Sequence, residues 1–214
     1  MWARVESDTV TKIYTRPKAL SIGDVNYPAN IFSIWTSAEL KAIGIYEVVI
    51  DNTNLKNQEY YINTNQTFAF ASDTVTASYG TATAKAIADT LYTAQNVTDD
   101  VYPVGHAKAG QRMGTWAEGD VQTRGLKYNH KEKIDQQAGG LLQDTDWMVI
   151  RAAEGGTAVP GATTTWRTAV RTKANSMQAQ IDGAANVDAL AALYIYNDST
   201  PPVRPLGNFP VLGA

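Results

Sequence analysis

The sequence predicts an α+β fold: β-rich N-terminal and middle parts, then a C-terminal helical hairpin or bundle and an extended Pro-rich tail. Strand-forming residues dominate positions 1–61, and apolar residues alternate with small polar ones in the Thr/Ala-rich stretch that follows. After residue 120, apolar residues recur every three or four positions. We therefore divide the chain into a small α+β module (1–61), a β-hairpin with a connecting loop (62–119), a helical domain (120–197) and a tail (198–214).

The first module contains signals for strands and one short helix. Gly23 and Asp24 lie between apolar segments and predict a tight turn between two strands. Thr36 and Glu39 have the spacing of a capping box, in which the hydroxyl and the carboxylate bind the free amides at a helix start. Gly44 marks the end of that helix, and the Val/Ile-rich run 46–50 predicts the next strand.

The middle part predicts a hairpin, a helix and a long loop. Phe68 and Phe70 alternate with small residues, the run 75–79 alternates too, and Ser72-Asp73 between them indicates the turn. The apolar spacing in 81–92 predicts a short helix. Residues 96–119 contain few aliphatic side chains and predict a long connection, of a kind that is often mobile or ordered by a partner.

Four helices are predicted in the third part. The first covers 122–142 and weakens at Gly139-Gly140, and the second covers 147–154, with Asp144 and Asp146 near its start, where carboxylates favour the helix dipole. The third follows Pro160 and carries one apolar stripe, formed by Trp166, Val170, Ala174, Met177 and Ile181. The last covers 187–196, with Asn186 as its N-cap.

The tail and the tryptophans give the first indications of a binding surface. The tail has four prolines and is predicted to be extended, with apolar side chains that need a place to dock. If that place is a partner, deleting residues 201–214 should weaken association and leave the melting temperature unchanged. Trp35, Trp147 and Trp166 lie in apolar patterns and are predicted to be core, whereas Trp116 suits either local packing or a contact surface.

Composition excludes several classes of protein. The 214 residues include 18 Lys and Arg against 21 Asp and Glu, a formal net charge of -3, so the overall basic field of a nucleic-acid-binding protein is missing. Cysteine is absent, which excludes disulfides and thiolate chemistry. No apolar run approaches the length of a bilayer span, and the N-terminus does not resemble a secretory signal. We expect neither nucleic acid nor a membrane as a partner.

The sequence contains no recognisable catalytic, metal or cofactor site. The sequence has no Walker A loop and no G-x-S-x-G elbow, and its two histidines, His106 in a loop and His130 on a predicted solvated helix face, are far apart. Asp144 and Asp146 make an incomplete set of oxygen ligands for a cation and suit helix capping better. Glu154 has no carboxylate partner of the kind that a glycosidase needs. We therefore predict that the protein is not an enzyme and needs no cofactor.

One basic cluster remains as a nucleic-acid candidate. It lacks interleaved aromatic residues and is diluted by acidic ones, so a solvated helix face is the better interpretation. The cluster comprises Arg124, Lys127, Lys131 and Lys133, with Lys108 and Arg112 nearby.

Two segments resemble proteins of tailed bacteriophages. The run IGDVNYPANIFSIWTSAELKAIGIYEV resembles the N-terminal module of many phage tail proteins, in which an N-G-x-x-Y-P element precedes a W-S-x-E-E-L-x-A-I-G-I helix. The run GLLQDTDWMVIRAAEGGTAVPGATTTWRTAVRTKANSMQAQI resembles the C-terminal helical segment of tail-fibre assembly chaperones. The matching positions there are Leu141, Leu142, Thr145, Asp146, Trp147, Pro160, Trp166, Arg167, Val170 and Arg171.

The resemblance implies a non-enzymatic phage protein that binds tail-fibre or tail subunits and assists or caps their assembly. The alternative is a permanent virion component, such as a fibre, adaptor or baseplate-associated protein, and a glycan-acting hydrolase comes third. The expected location is the virion tail, the host cytoplasm during assembly, or both, and a homo-oligomer is possible by analogy. The candidate partner-binding residues are Trp147, Trp166, Arg167 and Arg171 in the helices and Leu206, Phe209 and Leu212 in the tail.

Overall fold

A computed structural model describes residues 1–112 and 114–213 of the chain. It has the α+β fold that the sequence predicts. The chain divides into two compact units, Met1–Ala84 and Lys85–Ala214. The division falls inside the zone 62–119, whose hairpin belongs to the first unit and whose connecting loop belongs to the second.

The first unit is mainly β-structure with two short helices. Its elements in chain order are β1 (Trp2–Glu6), β2 (Thr9–Tyr14), β3 (Leu20–Ile22), β4 (Val25–Tyr27), α1 (Ile31–Ile34), α2 (Ser37–Ala42), β5 (Ile45–Asp51), β6 (Tyr61–Ile62), β7 (Gln66–Ala71), β8 (Thr74–Tyr79) and β9 (Thr83–Ala84).

Five of these strands form one sheet in the order β2-β1-β5-β8-β7. β5 and β8 run parallel, and the other neighbours are antiparallel. The predicted hairpin is confirmed: Ser72 and Asp73 form the β7–β8 turn with φ of 49° and 60°, values that suit a tight two-residue turn. One core cluster lies on this sheet and comprises Ala3, Val48, Val75 and Ala77.

A second core cluster forms where α1, α2 and the β3–β4 hairpin pack. It contains Tyr14, Leu20, Ile31, Phe32, Leu40 and Ile45. The predicted turn at Gly23-Asp24 is confirmed as the β3–β4 connection. The predicted capping box is also confirmed, because Thr36 Oγ1 accepts from Glu39 N while Glu39 Oε2 accepts from Thr36 N at 2.7 Å.

The second unit is mainly helical. Its elements are β10 (Thr90–Leu91), α3 (Ala94–Asp99), β11 (Val121–Thr123), α4 (Leu126–Ala153), α5 (Gly161–Gly183) and α6 (Val187–Ala192). The strands β10 and β11 pair with each other, and α4 and α5 form the helical hairpin that the sequence predicts.

The predicted helix at 81–92 is wrong, because that stretch contains the short strands β9 and β10 and irregular backbone. Its carbonyl groups serve another element: Ala86 O and Ile87 O accept from the backbone N–H groups of Leu126 and Lys127, both at 3.0 Å. These are the first amides of α4, which have no partner within their own helix. The threonines in 81–92 have low helix propensity, so this stretch has little intrinsic tendency to form a helix instead.

The predicted break between two helices at 142–147 is also wrong. α4 is one helix of 28 residues, and Gly139 and Gly140 lie inside it. Asp144 and Asp146 are therefore mid-helix residues, and neither of them caps a helix start. Each glycine costs the helix about 1 kcal/mol relative to alanine, and packing against α5 offsets that cost.

The predictions for the next two helices are largely confirmed. α5 begins directly after Pro160 and buries the whole predicted stripe. Asn186 caps α6, since its Oδ1 accepts from Ala189 N at 2.8 Å. α6 ends at Ala192, four residues before the predicted end.

The tail is extended as predicted, but it packs on its own unit. Leu206 is fully buried, and its backbone N–H donates to Leu193 O at 3.0 Å. Asn197 N donates to Val203 O at 2.8 Å, which folds the start of the tail back. The structure therefore leads us to expect that deletion of 201–214 lowers the melting temperature, contrary to the expectation from sequence, because Leu206 contributes to the core.

Asp89 connects the irregular segment to the start of α4 and should make stability depend on pH. Its Oδ1 accepts from Gly125 N and its Oδ2 from Arg124 Nη1, each at 2.7 Å. These bonds hold the pKa of the carboxyl below its ordinary value, the Gly125 backbone bond contributing most. A lowered folded-state pKa means that the ionised form stabilises the fold above the unfolded-state pKa and that this contribution is lost as pH falls through the folded-state value.

We expect Asp89→Asn to be less stable than wild type at pH 7, and the difference to shrink as the pH falls through the acidic range where the carboxyl becomes protonated. Urea unfolding of both proteins at a series of pH values measures this difference. Glu132→Gln, which removes an exposed carboxylate from α4, is the control. A difference that stays constant with pH would contradict the assignment.

Candidate partner-binding site

Arg167 is buried where α5 crosses α4, with 6% of its surface exposed. Its Nη1 donates to Leu142 O at 2.9 Å and to Thr145 Oγ1, and its Nη2 pairs with Asp146 Oδ1 at 2.7 Å. Thr145 is buried beside it and donates to the same Leu142 carbonyl at 2.9 Å. The guanidinium group is thus committed to α4, and its role in the free chain is to hold the two helices together.

A groove opens next to this network, between α4, α5 and the tail. It has a volume of about 350 Å³. Trp166 lines it, and its indole Nε1 donates to Pro210 O at 2.9 Å, which holds the end of the tail at the groove. We call this the tail groove; its lining is Gly140, Leu141, Asp144, Thr145, Trp166, Phe209, Pro210, Val211 and Leu212.

The structure brings three of the seven candidate residues together in the tail groove. Trp166 is buried there as predicted for a core residue, Phe209 is half-buried, and Leu212 is exposed. Arg167 lies next to Trp166 in the chain and is held to α4. The other three lie elsewhere: Leu206 is in the core, Arg171 is exposed one turn further along α5, and Trp147 is on α4.

The prediction that Trp147 is a core residue is wrong. Its side chain is 53% exposed, and the Arg151 guanidinium lies 4.8 Å from the ring centroid. Trp147 belongs to a run of four apolar residues, Trp147 to Ile150, and such a run points in all directions around a helix. Because α5 covers only one side of α4, most of this run stays unburied.

The basic cluster is largely matched by carboxylates of its own unit. Arg124 pairs with Asp89 at 2.7 Å, and Arg112 pairs with Asp100 at 2.6 Å. Lys131 pairs with Asp182 at 2.9 Å, and Lys127 donates to the Asp182 carbonyl. Paired side chains of this kind leave little unmatched positive charge for a phosphate backbone.

The two histidines have different surroundings. His106 stacks on Tyr102, with ring centroids 4.3 Å apart. The prediction that His130 is solvated is wrong: it is buried, and its Nδ1 lies 2.8 Å from Tyr194 Oη. His130 lies one turn from Leu126 and from Ile134 on the buried face of α4, and the tyrosine hydroxyl supplies the polar partner that a buried imidazole needs.

The sequence did not reveal an aromatic cluster in the long loop. Tyr92 lies 5.5 Å from Trp116 and 6.3 Å from Tyr102 between ring centroids. Trp116 Nε1 also donates to Tyr102 Oη at 3.2 Å. The signal for this cluster in the sequence was the recurrence of aromatic residues through the Gly-containing stretch. Aromatic side chains can pack against each other and hold a loop together even where aliphatic residues are few.

Within residues 1–112 and 114–213, no three His, Asp or Glu side chains gather where they could hold a metal ion. No helix in the same ranges is long and apolar enough to cross a bilayer. The chain has no match among protein-family models, curated proteins or solved structures.

Removal of the Arg167 side chain should destabilise the second unit. Arg167→Ala deletes bonds to a carbonyl, a hydroxyl and a carboxylate, and the expected loss in free energy of unfolding is about 2–4 kcal/mol. Urea denaturation followed by far-UV circular dichroism measures it. Arg171→Ala, one turn away and exposed, is the matched control and should change stability by less than about 0.5 kcal/mol. Equal effects of the two variants would contradict the role of Arg167.

Leu206 should anchor the tail. Leu206→Ala creates a cavity in a buried site, and we expect a loss of about 2–5 kcal/mol in free energy of unfolding. Leu212→Ala, which truncates an exposed leucine six residues later, should leave the melting temperature nearly unchanged. A Leu206→Ala protein as stable as wild type would show that the tail is not part of the core.

Proposed function

We propose that this chain is a non-enzymatic bacteriophage tail protein that binds tail-fibre or other tail subunits and assists or caps their assembly. It would act in the host cytoplasm during assembly, on the virion tail, or in both places. The observation that carries the proposal is the amount of surface that the chain leaves unburied, which includes several large apolar side chains.

The chain exposes 13524 Å² of accessible surface. Globular proteins follow a scaling of surface with mass, by which two units of these lengths that bury nothing against each other would together expose about 11,600 Å². The excess of about 1,900 Å² is larger than the roughly 800 Å² that each partner contributes to a standard protein–protein interface. The chain therefore has enough accessible surface beyond this average to form an interface of standard size.

Apolar side chains account for part of this surface in the second unit. Trp147 and Ile150 are exposed three residues apart near the end of α4, and the adjacent residues Val211 and Leu212 are exposed beside the tail groove. Contiguous apolar patches of this kind mark interaction sites in soluble proteins. Both patches belong to or border the segment whose sequence resembles tail-fibre assembly chaperones.

The tail groove is the proposed contact for a fibre or tail subunit. It is lined by the buried Trp166, the half-buried ring of Phe209 and the exposed Leu212. Aromatic anchors in a partly formed apolar cleft dominate many protein interfaces. An extended or helical segment of the partner could lie along this cleft and cover the end of the tail.

A permanent virion component is the second candidate, and the first unit favours it. That unit has its own five-stranded sheet and two core clusters. It contains the run that resembles the N-terminal module of phage tail proteins. A separately folded β unit suits attachment to a particle better than transient assistance in folding.

The test is co-expression with the tail-fibre protein of the same phage. We expect the chain to raise the yield of soluble, trimeric fibre, measured by size-exclusion chromatography with light scattering. The double variant Phe209→Ala/Leu212→Ala should remove most of this gain, since it truncates the exposed side of the tail groove. Val104→Ala, which truncates a fully exposed valine in the long loop, is the control.

Mass spectrometry of purified virions then separates the two candidates. A chaperone should be missing from particles or present in less than one copy per fibre, and a structural component should be present in a fixed ratio. The proposal fails if the chain neither changes the fibre yield nor occurs in complexes or particles.

A further inference from the structure

The side of α4 that faces away from α5 carries a distinct set of residues near its C-terminal end. Gly140, Asp144, Trp147, Ile150 and Arg151 recur at intervals of one, three and four, which places them on one side of the helix. All but Arg151 are exposed, and Arg151 is half-buried against Trp147. We call this side the outer face.

Two large apolar side chains dominate the outer face. Trp147 is 53% exposed and Ile150 is 58% exposed, three residues apart. A tryptophan at the centre of an exposed apolar patch is typical of an interface hot spot. The chain also has more unburied surface than one interface of standard size needs.

Two opposite charges flank these residues. Within residues 1–112 and 114–213, neither Asp144 nor Arg151 forms an ion pair. Arg151 Nε is out of contact with water and has no hydrogen-bond acceptor among the described residues. A guanidinium group in this state gains from a carboxylate that approaches its exposed end.

The spacing of the two charges makes the outer face complementary to itself. Asp144 and Arg151 are seven residues, or about two turns, apart, with Trp147 and Met148 midway between them. In a two-fold symmetric antiparallel pair of helices, each contact occurs twice. Asp144 of each copy then lies opposite Arg151 of the other, and the two tryptophans meet at the centre. A parallel pair would place like charges opposite each other.

Gly140 fits the same arrangement. A Cβ atom built on Gly140 meets nothing within 4 Å, so no neighbour in the chain requires a glycine there. The residue nevertheless costs the helix about 1 kcal/mol. In the antiparallel pair, Gly140 lies opposite the end of α4 in the second copy, where a missing side chain allows close approach.

We infer that the outer face is a self-association surface, through which two copies of this chain form a two-fold symmetric dimer by antiparallel packing of α4 around Trp147. Gly140 and Asp144 of the outer face also line the tail groove, so the dimer covers one edge of that groove. The inference does not depend on the identity of any phage partner, because it concerns the purified chain alone.

A charge-exchange experiment tests this arrangement. Sedimentation equilibrium of wild type over a range of micromolar concentrations should show a monomer–dimer equilibrium. Asp144→Arg and Arg151→Asp should each weaken the dimer by about tenfold or more, since each variant replaces two attractive contacts with two repulsive ones. The double variant Asp144→Arg/Arg151→Asp restores opposite charges and should recover most of the affinity.

A matched pair of glycine variants provides a second measurement. Gly139→Ala and Gly140→Ala each remove one helix-interior glycine, and both should raise the melting temperature of the monomer. Gly140→Ala should weaken the dimer more than Gly139→Ala, because Gly140 is in line with Asp144, Trp147 and Arg151, whereas Gly139 is at the edge of the outer face, in line with Ile150. Circular dichroism on every variant shows whether the fold is retained.

The inference is overturned if wild type stays monomeric at every concentration. It is also overturned if the double charge variant dimerises no better than the single ones, or if Gly140→Ala dimerises as tightly as Gly139→Ala. None of these results would bear on fibre binding, which co-expression measures separately.

Discussion

Arg167 fixes the register of the two long helices, and the rest of the second unit depends on that register. The guanidinium group reaches from α5 to a main-chain carbonyl, a hydroxyl and a carboxylate of α4, all within five residues of the chain. A buried arginine is stable only when its donors find acceptors in fixed positions. A slip of one residue between the helices would leave this charge without partners.

The register decides which side chains are buried and which remain on the surface. With Thr145 and Asp146 turned toward α5, Trp147, Ile150 and Arg151 are placed on or near the opposite side of α4. The same crossing leaves the cleft into which the end of the tail folds. The contacts of Arg167 with α4 therefore stabilise the helical hairpin and also determine which side chains of α4 are exposed for binding.

The parts of the fold that depend on local chemistry were predictable. The capping box at Thr36 and Glu39 and the N-cap at Asn186 involve residues three positions apart, so the sequence contains both partners. The turn at Ser72-Asp73 and the stripe on α5 are also short-range patterns. In each case, the interaction that decides the structure lies within one element or one turn.

The wrong predictions share a dependence on partners distant in sequence. Asp146, which the sequence placed at a helix start, is inside α4 and pairs with Arg167, 21 residues away. The burial of His130 depends on Tyr194, 64 residues away. Leu206 is buried against the helical unit, and no short sequence pattern in the tail predicts that burial. For the candidate site, the sequence identified Trp166, Phe209 and Leu212 but could not show that they lie together.

The most direct test of the account is hydroxyl-radical footprinting of the chain alone and of the chain bound to its fibre or purified tails. The central claim is that the exposed apolar surface of the second unit is covered in an assembly. The account predicts that Phe209 and Leu212 are labelled in the free chain and protected when the fibre or tail is bound, while Val104 stays labelled. Equal labelling of Phe209 and Leu212 in the free and bound states would contradict it.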